Sequence, residues 1–272
     1  MRAWKDLLVY LEEGAALDSA LASAGLLAEH FGAHIVGLAV SPFRLPLELS
    51  QPSRLRDYGE RNRERLERLQ GRFEHALPHG RREWRSHDGL AEGGERLDVI
   101  SRHARYADAV VMGQPDRPRE EDDAAVDLPA QVAVASGRPV LVLPRDGWEG
   151  RPGRRALVGW NGSREAARAI ADALPLLAGA EAVKVLVAGG GDADPGGDVG
   201  AWLSRHGVPV EVEQRERSRE DPARILLDVA ASDDADLVVM GAYGQSRMRE
   251  LVLGGTTREM MHRMERPVLL AH

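Results

Sequence analysis

Leu237-Val238-Val239-Met240, then Gly241-Ala242-Tyr243-Gly244, then nine residues, then Gly254-Gly255-Thr256-Thr257: this stretch decides the fold of the 272-residue chain. A buried strand ending in small residues lets a ligand approach the backbone, and glycines open backbone N–H groups toward it. A helix that follows presents an N-terminus favouring negative charge. Strand, glycines and helix in that order predict a phosphate site on a nucleotide-binding fold.

The chain also repeats itself at long period. Ala107-Asp108-Ala109-Val110-Val111-Met112-Gly113 matches Ala235-Asp236-Leu237-Val238-Val239-Met240-Gly241, and Arg138-Pro139-Val140-Leu141-Val142 matches Arg266-Pro267-Val268-Leu269-Leu270, both at an offset of 128 residues. Near the start, Leu8-Val9 pairs with Leu157-Val158 at an offset of 149, so the first half carries 21 extra residues behind its matching strand. We read two related domains in tandem, residues 1–146 and 154–272, joined by Gly147 to Gly153 with its Pro152. Each falls in the usual size range of a domain.

Composition narrows the function classes. A net charge of −7 and a pI near 5.8 argue against a dedicated nucleic-acid binder, which shows a basic stripe. Arginine dominates the basic residues, since Lys5 and Lys184 are the only lysines. There is no cysteine, which excludes disulfides and thiolate chemistry. The opening residues lack a signal-peptide pattern and no apolar run reaches about 18 residues, so no membrane partner is expected and the expected location is the cytoplasm.

Short apolar runs alternate with helical spacing, the pattern of βαβ units around a parallel sheet. In the second half the expected strands are Ala156 to Trp160, Val183 to Ala188, Val208 to Val212, Leu237 to Met240 and Val268 to Ala271. Helical spacing covers Glu165 to Leu177, with Ser163 as N-cap, Pro222 to Ala231, and Thr257 to Met264. In the first half the strands are Leu7 to Leu11, His34 to Val40, Arg82 to Ser86, Ala109 to Met112 and Val140 to Leu143. In the insertion, Leu55, Tyr58, Asn62, Leu66, Leu69 and Phe73 fall on one side of a helix whose other side is Arg and Glu of mixed sign, a solvated amphipathic helix.

Glycine spacing and tandem offset together resemble the universal stress protein family. Its ATP-binding members carry Gly, two residues, Gly, nine residues, Gly, then Ser or Thr, and Gly241, Gly244 and Gly254 satisfy that spacing. The strand ending in Gly241 and the terminal Arg266-Pro267-Val268-Leu269 are also typical of it. The resemblance spans essentially the whole second half and most of the first outside its insertion. It implies an α/β fold of two tandem five-stranded, mainly parallel sheets with flanking helices, of the adenine nucleotide alpha hydrolase-like kind. Ligands of such open sheets lie at the carboxyl ends of the strands.

By this resemblance, Gly159 and Asn161 after the first strand, with Ala188 after the second, flank adenine and ribose. Met240, Gly241, Gly244, Gly254, Gly255 and Thr256 wrap sugar and phosphates. The implied ligand is ATP, or ADP or AMP in its place, with Mg²⁺ as a companion of the phosphates. The implied role is stress-response sensing or regulation rather than dedicated catalysis. Two residues depart from the family pattern: Gly255 stands in place of Ser or Thr, and Asn161 in place of Asp. Asn both accepts and donates hydrogen bonds. A nucleotide-free protein acting only through protein partners and a slow ATP hydrolase are the alternatives, the latter without the Ser-Gly-Gly-x-Asp-Ser loop of related hydrolases. Subunits of the family meet through their final strands, so Val140 to Leu143 and Val268 to Ala271 are expected to join the halves as a pseudo-dimer, and whole chains could pair further as a homodimer.

One nucleotide per chain is expected. The 128-residue offset places Asp116 at Gly244, Val126 at Gly254 and Asp127 at Gly255, and Glu120-Glu121-Asp122-Asp123 replaces the phosphate loop. Valine at Gly241 or Gly244 is expected to block the ligand and leave the fold largely intact. Arg247 and Arg249 are candidate phosphate cations that surface pairing with Glu250 explains equally well. Trp160 and Tyr243 are candidate stacking partners for the base, with packing at a strand end and loop exposure the commoner explanations. Gly189 to Gly191, with Gly196 and Gly197, read as a mobile loop, and the pairs His30/His34 and His75/His79 as solvent-facing histidines without a third metal ligand.

Overall fold

Alternation of apolar side chains along the first strand sets the layers. Leu7, Val9 and Leu11 enter one apolar cluster and Leu8 and Tyr10 the other, so this strand is covered on both faces, as a parallel strand must be. The same split recurs in the second half, with Ala156 and Val158 on one side and Leu157 on the other. The computed structural model describes residues 3–41, 52–77, 81–89, 95–116, 126–188, 196–215, 220–243 and 255–272.

Among the described residues the order in the first half is β1 (Asp6–Leu11), α1 (Leu17–Phe31), β2 (His34–Ser41), α2 (Pro52–Ala76), β3 (Arg82–Asp88), α3 (Arg96–Ala104), β4 (Ala109–Gly113), α4 (Leu128–Ser136) and β5 (Val140–Leu143). The second half continues with β6 (Arg155–Trp160), α5 (Arg164–Leu177), β7 (Ala182–Ala188), α6 (Gly197–Arg205), β8 (Val210–Arg215), α7 (Pro222–Ser232), β9 (Leu237–Gly241), α8 (Gly255–Arg263) and β10 (Val268–Ala271). The strands form one ten-stranded sheet in the order β3-β2-β1-β4-β5-β10-β9-β6-β7-β8. Read inward from either edge, the two halves have the same strand order. All neighbours are parallel except β5 and β10, which pair antiparallel through Val268↔Val142, Leu269↔Leu141 and Leu270↔Val140. β5 and β10 are therefore central strands with both edges occupied, rather than open edges.

Helices α1, α2, α5 and α6 supply residues to one apolar layer, and α3, α4, α7 and α8 to the other. The insertion helix α2 packs by Leu69 and Phe73, each 1% exposed, whereas Leu55 at its start stays exposed. The repeated aspartate of the 128-residue match is a structural tie. Asp108 Oδ2 accepts from the backbone N–H of Lys5 and Asp6, and the Asp236 carboxylate accepts from those of Gly153, Arg154 and Arg155. Each aspartate thus fixes the entry of the half's first strand beside its fourth.

The edge strands run further than the apolar pattern suggested. β3 reaches Asp88 and β8 reaches Arg215, because parallel pairing with β2 and β7 continues through charged residues. β8 starts at Val210 rather than Val208, since Pro209 has no N–H for the ladder and contributes only its carbonyl, to Val183 N. Gly197 opens α6, and a Cβ at Gly196 would lie 2.6 Å from Val212 Cγ1, so this part of the glycine-rich stretch is packed rather than a mobile loop. Gly189 to Gly191 lie outside the described residues. His30 ends α1 and His34 opens β2, so their four-residue spacing does not put them on one helix. His79 also falls outside the described residues.

Candidate functional site

The carboxyl ends of β6 and β9 and the start of α8 meet at one end of the sheet in the second half. The turn from β6 to α5 is built by three consecutive residues. Asn161 Oδ1 accepts from Ser163 N at 3.1 Å, Gly162 takes the left-handed conformation at φ 72°, and Ser163 Oγ caps α5 by accepting from Ala166 N at 3.1 Å. Asn161 is exposed, and with its oxygen held by the turn its amide N–H groups are the side that remains to face a ligand. Gly159, one strand residue earlier, lies under α7: a Cβ there would stand 3.2 Å from Leu226 Cδ1. Ala188 is the last residue of β7.

Gly241 is required by packing. A Cβ would come within 2.8 Å of Ala166 N and of the Glu165 carbonyl carbon, so the end of β9 rests directly on the backbone of the first turn of α5. Gly113 repeats this in the first half, where a Cβ would meet that of Ala16 at 2.7 Å. The expectation that valine at Gly241 would spare the fold is therefore corrected: the side chain would strike a helix backbone before it met a ligand. Gly244 and Gly254 lie outside the described residues, as do Arg247, Arg249 and Glu250.

Beyond Gly241 the chain is held in place. Ala242 N donates to Ala271 O at 2.7 Å, and Ala242 O pairs with His272 Nδ1 at 3.0 Å. Tyr243 sits at φ 53°, a left-handed conformation that costs a non-glycine residue about 1–3 kcal/mol. That turn folds its side chain inward to 3% exposure in the apolar layer. Trp160 is half-buried against the opposite layer. Met240 is buried beneath the turn.

Helix α8 opens at Gly255, which is exposed, and among the described residues no heavy atom lies within 4 Å of where its Cβ would stand. The first N–H groups of any helix have no intrahelical acceptor, so this start is a positive end of the helix. Thr257 Oγ1 accepts from Tyr243 N at 3.4 Å, which puts the helix start beside the end of β9 and engages that hydroxyl. Thr256 is half-buried, Thr257 buried. The sequence reading missed Glu165, Arg164 and His272, which gather at the same strand ends. Arg164 Nε donates to Glu165 Oε1 at 2.9 Å, and Arg164 Nη2 approaches His272 Nε2 at 3.4 Å. Burial raises the Glu165 pKa, but its own backbone N–H, Arg164 and Ser163 outweigh it and hold the carboxyl below its ordinary value. An acid in the first turn after an Asn-Gly-Ser cap was the available signal.

The equivalent place in the first half is chemically different. A cavity of about 160 Å³ is lined by Tyr10, Glu12, Glu13, Gly14, Met112 and Asp116 among others. Glu12 pairs with Arg96 at 2.8 Å and Glu13 with Arg68 at 3.1 Å. Burial, then the charge of Glu12, raises the Tyr10 pKa and keeps the phenol neutral. Asp127, where the offset puts Gly255, carries a carboxylate 2% exposed. Residues 117–125, which include Glu120 to Asp123, are outside the described set.

Residues 153–272 match the Universal stress protein family. No curated protein matches the chain. A universal stress protein from Archaeoglobus fulgidus is similar to it in structure, with a TM-score of 0.76 at 17% identity, covering 98% of this chain and 95% of the other. A putative universal stress protein from Pseudomonas aeruginosa is similar with a TM-score of 0.61 at 16% identity, covering 99% and 93%. At such identities the likeness speaks for the fold. No helix among the described residues is long and apolar enough to cross a membrane. Residues 153–272 thus match the universal stress protein family, and nearly the whole chain has a fold similar to that of a universal stress protein.

Proposed function

We propose that this is a tandem universal stress protein, with domains at residues 1–146 and 154–272 forming an intramolecular pseudo-dimer, that binds one adenine nucleotide in the second domain and acts in stress sensing or regulation. The observation that carries the reading is the start of α8 at Gly255, where no atom of the described residues crowds the Cβ position, beside the strained turn at Tyr243 and inside the segment that matches the family. ATP, or ADP or AMP, would lie with its base and ribose toward Gly159, Asn161 and Ala188 and its phosphates at Gly241, Gly255 and Thr256, with Gly244 and Gly254 completing the loop. Mg²⁺ would be carried by the phosphates.

The fit is favourable in sign. A helix start gives an anion about 0.3–1 kcal/mol, and open glycine N–H groups add hydrogen bonds to a charged acceptor. In the first half a carboxylate about 4 Å from a phosphate would cost roughly 1 kcal/mol in water and about 4 at an effective dielectric near 20. Repulsion outweighs the helix there, so one site per chain follows. A second reading, a nucleotide-free protein acting through partners, is favoured by Gly255 in place of a hydroxyl residue and by the engagement of Thr257 Oγ1 with Tyr243 N. Mass spectrometry of the purified protein under native conditions separates the two. A retained mass of one ATP, ADP or AMP per chain supports the first. An unliganded chain that also fails to take up added ATP supports the second.

A further inference from the structure

Two polar contacts run from the first half onto α8, and their symmetry-related partners are missing. Asp127 Oδ2 accepts from Arg258 Nη2 at 2.6 Å, and Oδ1 from Nε at 3.3 Å. Gln114, 4% exposed and just beyond β4, donates from Nε2 to the Met261 carbonyl at 2.6 Å, while its Oε1 accepts from Arg145 N at 2.9 Å. Both ends of that amide are thus fixed. Arg258 and Met261 are three positions apart and share a face of α8. The Met261 carbonyl belongs to the last turn of a nine-residue helix, where no intrahelical donor remains, and Gln114 supplies one from across the sheet. Shifted by 128 residues, Gln114 becomes Ala242, Asp127 becomes Gly255, Arg258 becomes Ala130 and Met261 becomes Ala133. None of these side chains can return the contacts.

We propose that Asp127 and Gln114 are positioning residues for the nucleotide site: the first half, having lost its own phosphate loop, props α8 so that Gly255 and Thr256 keep their place beside the end of β9. The proposal rests on the nucleotide reading above. A nine-residue helix does not hold itself in water and takes its position from tertiary contacts. On one side α8 is held by Thr257 and the buried Met260 and Met261, and on the other by this pair of contacts. The Asp127 carboxylate, 2% exposed, is buried against a guanidinium 26% exposed, so Asp127→Asn removes the charge that ties α8 to the first half and loosens the contact.

The test uses the full-length chain as wild type, Asp127→Asn, Gln114→Ala, and the double variant Asp127→Glu with Arg258→Lys, which keeps the charge pair. Amide hydrogen exchange reads α8 directly and calorimetric titration with ATP reads the site. Expected are exchange in residues 259–263 about tenfold faster in the two single variants, with α7 as in wild type, and ATP binding about tenfold weaker. The double variant should recover both. Unchanged exchange in α8 would overturn the prop. Faster exchange with wild-type ATP affinity would overturn the positioning role and leave a purely structural contact. A wild-type chain that binds no ATP removes the nucleotide reading and the positioning role with it, while the exchange result still decides separately whether the first half holds α8.

Discussion

The end of β4 and the end of β9 are two versions of one corner. Both close on a glycine that rests on the start of a helix, Gly113 on Ala16 just before α1 and Gly241 on the first turn of α5, and both precede a helix that packs into the same apolar layer. They part company at the start of that second helix. In the first half it is Asp127, its carboxylate buried against an arginine of the other half, and in the second it is Gly255, with no atom of the described residues within 4 Å of its Cβ position. A glycine that serves packing thus stands in both halves, whereas the glycine that the proposed function assigns to a ligand stands in one. The difference separates a packing requirement from the proposed recognition.

The comparison can be broken most severely at the seam. Deleting residues 266–272 removes β10, whose Val268, Leu269, Leu270 and Ala271 are at most 1% exposed, and leaves β5 without its neighbour. Burial of each large apolar side chain is worth about 1.5–3 kcal/mol, so the loss is comparable with the whole stability of a domain. Light scattering after gel filtration should show aggregation. A monodisperse chain with an unchanged melting temperature would deny that the seam matters.

Gly241→Ala and Gly113→Ala test the shared part of the corner, and overpacking of this kind costs about 1–3 kcal/mol. Gly241→Ala should be the worse of the two, because its obstacle is helix backbone while that of Gly113 is the Ala16 methyl group. Thermal melts give the ranking, and equal or negligible shifts would contradict it.

A smaller effect distinguishes the outer strands. Lys184 lies where the first half has Val36, opposite Leu157 as Val36 is opposite Leu8. Its ammonium is 2.7 Å from Asp233 Oδ2 and 3.0 Å from Glu213 Oε2. Hydrogen bonds donated to Asp233 and then Glu213 raise the Lys184 pKa above 10.5, and those accepted from Arg215 and then Lys184 lower that of Glu213 below 4.5. The lysine's contribution is complete below about pH 10.5 and fades as pH rises through its folded value. The glutamate's is complete above about pH 4.5 and fades as pH falls through its folded value. Lys184→Met should therefore cost about 0.5–1 kcal/mol at pH 7 and less near pH 3, measured by urea unfolding. A cost that does not shrink in acid would assign the effect to packing.

Strands buried on both faces were legible because a run of apolar residues has few other uses. β5, β10 and the body of β9 lie where the sequence placed them. The charged ends of β3 and β8 were not, since an edge strand can be held by its backbone ladder and by ion pairs such as Lys184–Glu213, which leave no apolar trace. At the site, the Ser163 cap followed from residue type alone. The role of Gly241 did not, because the spacing of glycines in a sequence does not tell which one faces a helix. Nor did the burial of Tyr243, which depends on a left-handed turn that sequence seldom assigns to tyrosine. Asp127 was legible as an acid out of place, but its partner Arg258 is 131 residues away and only the antiparallel seam brings them together.

Gly255→Asp tests the central claim most directly, because it gives the second half the residue of the first. Among the described residues the new Cβ meets no atom within 4 Å, and a carboxylate at a helix start stabilises by about 0.3–1 kcal/mol, so the melting temperature should hold or rise slightly. Calorimetric titration with ATP should find one site per chain in the wild type and binding weaker by more than about tenfold in the variant. Two sites in the wild type, or undiminished affinity in a folded Gly255→Asp chain, would contradict the account.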